Sequence, residues 1–123
     1  MKTIGNIDLS LIKNKVSKVP SSEVIITDER YEHISQNHSC DLSLFDSYSK
    51  TAIENPDEII IDIKNERTLF FVKFLESGNL NIIVKLATGD RNSVKNTVLT
   101  SYRLRQKNLE KLEEKNQIIY KKE

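Results

Sequence analysis

An α+β fold, with N-terminal helices packed on a four-stranded antiparallel β-sheet and a C-terminal helix closing it, is what three features of the chain predict. Two segments with apolar residues at three- and four-residue spacing lie between positions 28 and 54. Four runs rich in Ile, Val, Phe and Thr follow between 58 and 103, joined by turns too short for crossover connections. A Lys-, Glu- and Leu-rich stretch from 104 to 115 has helical composition. With 123 residues the chain fits one domain, a lead-in over 1–23 and a core over 24–120.

In the lead-in, Asp8 or Ser10 can cap a short helix carrying Leu9, Ile12 and Val16, which Pro20 and two serines break. Val24-Ile-Ile-Thr27 is a β-branched run. Thr27 or Asp28 can then cap a helix starting near Glu29, with Tyr31 and Ile34 as its buried stripe. Arg30, His33 and Asn37 follow i, i+3, i+7 and share a different face, while His38 falls at the helix end. A second helix over Ser43–Glu54 has Leu44, Phe45, Tyr48, Ala52 and Ile53 as its apolar face and stops at Asn55-Pro56.

The period then changes from helix to strand. Expected strands are Glu58–Ile63, Thr68–Leu75, Leu80–Ala87 and Val94–Arg103. The third alternates cleanly, with Leu80, Ile82, Val84 and Leu86 inward and Asn81 and Lys85 outward. Ile118, Ile119 and Tyr120 suit a small terminal strand. Helices on one side of the meander leave its other face for a ligand.

Composition narrows the function classes. No apolar tract approaches the roughly 20 residues of a membrane helix, and Met1-Lys-Thr-Ile-Gly-Asn does not lead into a signal-peptide core, so a soluble, cytoplasmic protein is expected. The 19 basic and 18 acidic residues leave a net charge of +1, which argues against a uniformly basic nucleic-acid coat but permits a local basic patch. Cys40 is the sole cysteine, so no internal disulfide forms. One cysteine and two histidines are thin material for a structural zinc site.

The chain's two histidines, His33 and His38, stand in one short element beside Arg30. Histidine takes and gives protons near neutral pH. Metal-free RNA cleavage needs a base at the ribose 2′-OH, an acid at the leaving 5′-oxygen, and donors facing the charge that builds on phosphate. Two imidazoles supply the first pair of needs. Lys85 and Lys73 each interrupt an apolar strand and could meet the phosphate charge. Thr100 and Tyr102, two apart and next to Arg103, offer hydroxyls that could grip it. Each residue has an ordinary alternative. His33 would be a solvated helix histidine, His38 a helix-end cap and the lysines solvated strand residues, while Thr100 and Tyr102 would reflect plain β propensity. Alternation groups Thr100 with Val98 and leaves open whether that pair faces core or cleft. A metal held by His33, His38 and Asp41 is disfavoured by i, i+5 spacing, and a Cys40–His38 nucleophile pair has no support beyond adjacency.

Four groups of residues together resemble a known superfamily. They are Ile25-Ile-Thr27 with His33-Ile34 and Asn37-His38; Asn55-Pro56-Asp57; Val84-Lys85-Leu86; and Lys95-Asn-Thr-Val-Leu-Thr100-Ser-Tyr102. Their order is similar to that of the BECR nucleases (barnase, EndoU, colicin-type and RelE-like), and most similar to the small phage and mobile-element branch, the PBECR domains. The resemblance covers roughly residues 24 to 120. It implies helices followed by a four-stranded antiparallel sheet, and a metal-independent endoribonuclease without a cofactor. Such an enzyme leaves a 2′,3′-cyclic phosphate and often serves as a toxin or effector against cellular RNA such as tRNA. By position, His33 and His38 match the family's helix histidines, Lys85 its basic strand residue, Thr100 the hydroxyl of its last core strand and Tyr102 a looser counterpart. Asn37 stands where relatives often carry Arg. A free ribonuclease endangers its host, so the resemblance also implies an immunity or antitoxin partner. The exposed sheet edge and the charged last helix each offer a surface for a homodimer. The alternative reading is a non-catalytic RNA- or protein-binding module of a mobile element.

Overall fold

The computed structural model describes residues 1–37, 41–65, 67–91 and 93–123. In chain order the elements are β1 (Lys2–Asn6), a 3-10 turn (Leu9–Leu11), β2 (Glu23–Ile26), α1 (Asp28–Asn37), α2 (Leu42–Glu54), β3 (Glu58–Ile61), β4 (Thr68–Leu75), β5 (Gly78–Lys85), β6 (Asn96–Leu104), α3 (Gln106–Lys115) and β7 (Gln117–Lys121). The strands form one seven-stranded sheet in the order β1-β2-β6-β5-β4-β3-β7. Among the described residues, only β2 and β6 run parallel; every other neighbouring pair is antiparallel.

The four expected strands are the contiguous antiparallel centre of that sheet, but the sheet itself is wider and mixed. β7 extends it beyond β3, and β2 with β1 extends it beyond β6. The lead-in is also not simply a helix. Its first residues pair with β2, and the capped segment is a single 3-10 turn followed by turns, with Asp8 Oδ1 accepting from Ser10 N at 3.1 Å. The spacing of Leu9, Ile12 and Val16 does bring all three to the core.

The main core lies between one sheet face and α1 and α2. Ile34, Phe45, Ala52 and Ile53 meet Ile59, Leu69, Phe71, Leu80, Ile82, Val84 and Val98 there. Thr27 Oγ1 caps α1 by accepting from Arg30 N at 3.1 Å. Tyr31 and Phe45 pack edge to face with ring centroids 6.3 Å apart, fixing α1 against α2.

The opposite face is not left bare. Ile60, Phe70, Val72 and Leu104 form a second apolar cluster, which Leu109 and Leu112 of α3 cover. The reason is visible in the runs Ile59-Ile-Ile61 and Leu69-Phe-Phe-Val72. Consecutive apolar residues put an aliphatic or aromatic group on both faces, and both then need cover. α3 leaves the end of β6 and delivers the chain to β7, whose Gln117 lies opposite Ile61 at the far end of β3. It therefore crosses the second face diagonally. Asn116, at its end, accepts from Ile63 N through Oδ1 at 3.1 Å.

Candidate active site

Directly paired residues of antiparallel strands share a face, so the register assigns the site residues without ambiguity. On the α3 face, one row reads Glu58, Val72, Asn81, Tyr102; the next reads Ile60, Phe70, Ile83, Thr100; the third joins Thr68, Lys85 and Thr97. Thr100 belongs there because the register shifts between Ile83 and Val84, where Leu99 is the extra residue of a bulge. The bulge puts Val98 in the main core and turns Thr100 to the opposite side, which simple alternation does not reveal. Lys85, Thr100 and Tyr102 thus share the part of this face that the diagonal α3 leaves beside β6.

Lys85 is exposed at the end of β5. Thr100 is half-buried, and its Oγ1 is buried with no hydrogen-bond partner. A buried orphan hydroxyl costs roughly 1–3 kcal/mol, a cost relieved when the side chain turns outward to meet a polar partner, because solvent does not reach this oxygen in its present position. Asn81, fully buried in the neighbouring row, likewise has both amide atoms unpaired. Tyr102 is half-buried and lines a groove with Leu104 and the α3 residues Asn108, Lys111, Leu112 and Lys115.

His33 lies on a different element. It is exposed on α1, whose Ile34 packs in the main core on the opposite face of the sheet. The structure therefore does not bring it onto the strip with Lys85 and Thr100, although α1 borders β6, the strand of Thr100 and Tyr102. Asn37 Nδ2 lies 3.1 Å from His33 Nδ1 and donates to the His33 carbonyl at 3.1 Å, fixing the ring's orientation. Asp28, Tyr31 and Glu32 line a surface hollow with Lys2 of β1. At 100° per residue, the exposed Arg30, His33 and Asn37 occupy the opposite flank of the helix, turned away from β1. His38 lies outside the described residues.

Lys73 and Arg103 are not part of this grouping. Both pair with Leu80 and so stand on the α2 side of the sheet. Lys73 Nζ donates to Asn55 O at 2.9 Å and lies 3.5 Å from Asp57 Oδ2, clasping the end of α2 to β4. Arg103 is tied to Asp41, with its Nε 3.6 Å from Oδ1 and its backbone N 3.1 Å from Oδ2.

Several groups that matter here escape a sequence reading. Glu58 opens an apolar strand yet is fully buried, without a hydrogen-bonded carboxyl oxygen in standard geometry. Burial first, then the neighbouring Glu113 carboxyl, push its pKa up to about 8, against a smaller opposing pull from Lys121. It is therefore held neutral at pH 7. Asn96 is fully buried and stitches three segments: its Oδ1 accepts from Ala87 N at 2.8 Å, while Nδ2 donates to Ser21 O at 2.7 Å and Glu23 O at 2.9 Å. Arg67 reaches the carbonyls of Ser17 and Lys18 at 2.9 and 3.0 Å, and that of Ala87. Asn96 and Arg67 brace the ends of β5 and β6 where Lys85 and Thr97 stand.

The model of the family described as phage-Barnase-EndoU-ColicinE5/D-RelE like nuclease2 aligns with residues 1–121, which includes β1 and the lead-in as well as the core. No curated protein and no solved structure matches the chain.

Proposed function

Because the chain belongs to the phage BECR-like nuclease 2 family, we propose that it is a metal-independent endoribonuclease acting on single-stranded RNA, with the uncovered strip of the α3 face as its phosphate site. The observation that carries this reading is the register-defined placement of Lys85, Thr100 and Tyr102 on one face, with an unsatisfied Thr100 hydroxyl among them.

In this mechanism the ribose 2′-oxygen attacks the adjacent phosphorus, and the bond to the leaving 5′-oxygen breaks. The products are a 2′,3′-cyclic phosphate and a free 5′-OH. His33 and His38 divide the roles of base for the 2′-OH proton and acid for the 5′-oxygen, which requires the ribose–phosphate to lie at the edge of β6, between the Lys85 strip on one face and α1 on the other. The Lys85 ammonium stabilises the added negative charge on phosphorus. On turning out of its buried position, the Thr100 hydroxyl donates to a phosphate oxygen, and Tyr102 fixes the nucleotide's orientation. Arg30, on the His33 flank of α1, attracts the backbone. A toxin or effector role, with an immunity protein to neutralise it, follows from the same reading, since unregulated RNA cleavage harms the cell that makes it.

The test is incubation of the purified protein with RNA in the presence of EDTA. Fragments ending in 2′,3′-cyclic phosphate, lost on His33→Ala, on His38→Ala and on Lys85→Ala in folded proteins, support the enzyme. Undiminished cleavage by either histidine variant refutes the assignment. Retardation of RNA without cleavage by the unsubstituted protein replaces it with the binding-module reading.

A further inference from the structure

α3 has two chemically different flanks. At 100° per residue, Leu109, Leu112 and Asn116 define its sheet-facing side. Asn108, Lys111 and Lys115 fall on one flank, and Gln106, Glu110 and Glu113 on the other. The acidic flank is turned to β3, where Glu113 meets Glu58. The basic flank is turned to β6, where it lines the groove with Tyr102. In a chain of net charge +1, this segregation places two cations beside the strip that holds Lys85 and Thr100.

Lys111 and Lys115 are exposed and stand at i, i+4. Like charges at that spacing destabilise a helix by a few tenths of a kcal/mol. The helix C-terminus accounts for Lys115 but not for Lys111. Among the described residues, neither ammonium is paired with a carboxylate. An anion between them would turn mutual repulsion into attraction. The groove is small, about 310 Å³, which is the lower end of ligand-sized clefts and suits one nucleotide rather than a duplex. Its walls combine an aromatic ring, the Leu112 side chain, an amide with one donor and one acceptor edge, and two cations. That set matches a base to stack, a base edge to read and a phosphate to neutralise.

We propose that this groove binds the nucleotide flanking the cleaved bond, with its base against Tyr102 and Leu112, Asn108 at the base edge, and its outer, non-reacting phosphate between Lys111 and Lys115. The inference rests on the ribonuclease reading for the position of the reacting phosphate. Tyr102 and Thr100 are two residues apart on one strand, roughly 7 Å along it, so a single strand entering the groove continues directly to the hydroxyl.

The decisive comparison uses Lys111→Ala/Lys115→Ala, a pair of exposed positions. Wild type and variant should cleave a dinucleoside monophosphate equally, since that substrate has no outer phosphate. For a trinucleotide carrying one, the variant's kcat/KM should fall about tenfold. Equal cleavage of the trinucleotide by both proteins overturns the proposal. Binding of a labelled 2′-deoxy hexanucleotide, which cannot be cleaved because it has no 2′-OH, reads the groove independently of catalysis. There the variant should bind about tenfold more weakly, and the slope of log K against log salt should drop by about 0.7 for the one phosphate no longer neutralised on a single strand. Unchanged affinity and slope overturn the groove even if the enzyme is active. Weakened binding by a protein that cleaves nothing upholds the groove and rejects the nuclease reading.

Discussion

Replacing Glu58 by Gln tests whether a neutral carboxyl is built into the sheet. In the folded protein its pKa is about 8, against 4.5 for an ordinary glutamate. Between those values the native state holds a proton that the unfolded chain has released. Stability is therefore fully present below pH 4.5 and is lost progressively as pH rises through 8. At pH 7 the gap of about 2.5 units corresponds to roughly 3 kcal/mol at 1.36 kcal/mol per unit. This is an upper bound, because Glu113 shares the proton. A glutamine in its place has almost the same shape and no proton to lose, and its amide can donate to Glu113. Thermal unfolding followed by circular dichroism from pH 4.5 to 9 should give nearly equal midpoints for the two proteins at the acid end. The Glu58→Gln variant should then be more stable, by up to about 10 °C at pH 7, given roughly 3 °C or more per kcal/mol for a domain of this size. Midpoint curves that run parallel across the whole range, or a variant less stable at pH 7, would refute the reasoning.

Two further substitutions probe the frame around the site. Asn96→Ala removes one buried and two part-buried hydrogen bonds and leaves Ala87 N, Ser21 O and Glu23 O without the Asn96 side chain. Chemical denaturation should show a loss of about 3 kcal/mol, with the β2–β6 junction losing amide protection first. Gly78→Ala places a Cβ at φ +128, 2.8 Å from Arg103 Cδ. It should cost about 1–2 kcal/mol, and an unchanged unfolding midpoint would show that the β4–β5 turn relaxes freely.

How much of the fold and site is legible in the sequence depends on whether the signal is local. β4 is expected at Thr68–Leu75 and is found there, because its apolar run and flanking turns are both in the local sequence. α2 begins one residue before its expected start, for the same reason. β1 gives no such signal. Lys2–Asn6 includes Gly5 and becomes a strand only through its pairing with β2. The face of Thr100 is hidden because a bulge is set by how β5 and β6 align, not by the residues of β6 alone. Cover of the second face is readable in principle from the consecutive apolar residues of β3 and β4. The basic flank of α3 is equally available as an i, i+4 lysine pair, but only the helix's path across the sheet gives that pair a neighbour.

The sheet order has a consequence for how the molecule comes into being. Residues 24–25 pair locally with β1 on one side but meet their other partner only at 96–97, and residues 58–61 pair with β4 on one side but meet their other partner only at 117–121. Both borders of the sheet thus join parts of the chain made far apart in time. Contacts of such long sequence separation are slow to form, and a nascent chain that has not yet reached Asn96 has neither β6 nor β7. The strand bearing Thr100 and Tyr102 arrives late in the synthesis of this domain, so a partly made copy has no means to assemble the strip on which cleavage would depend.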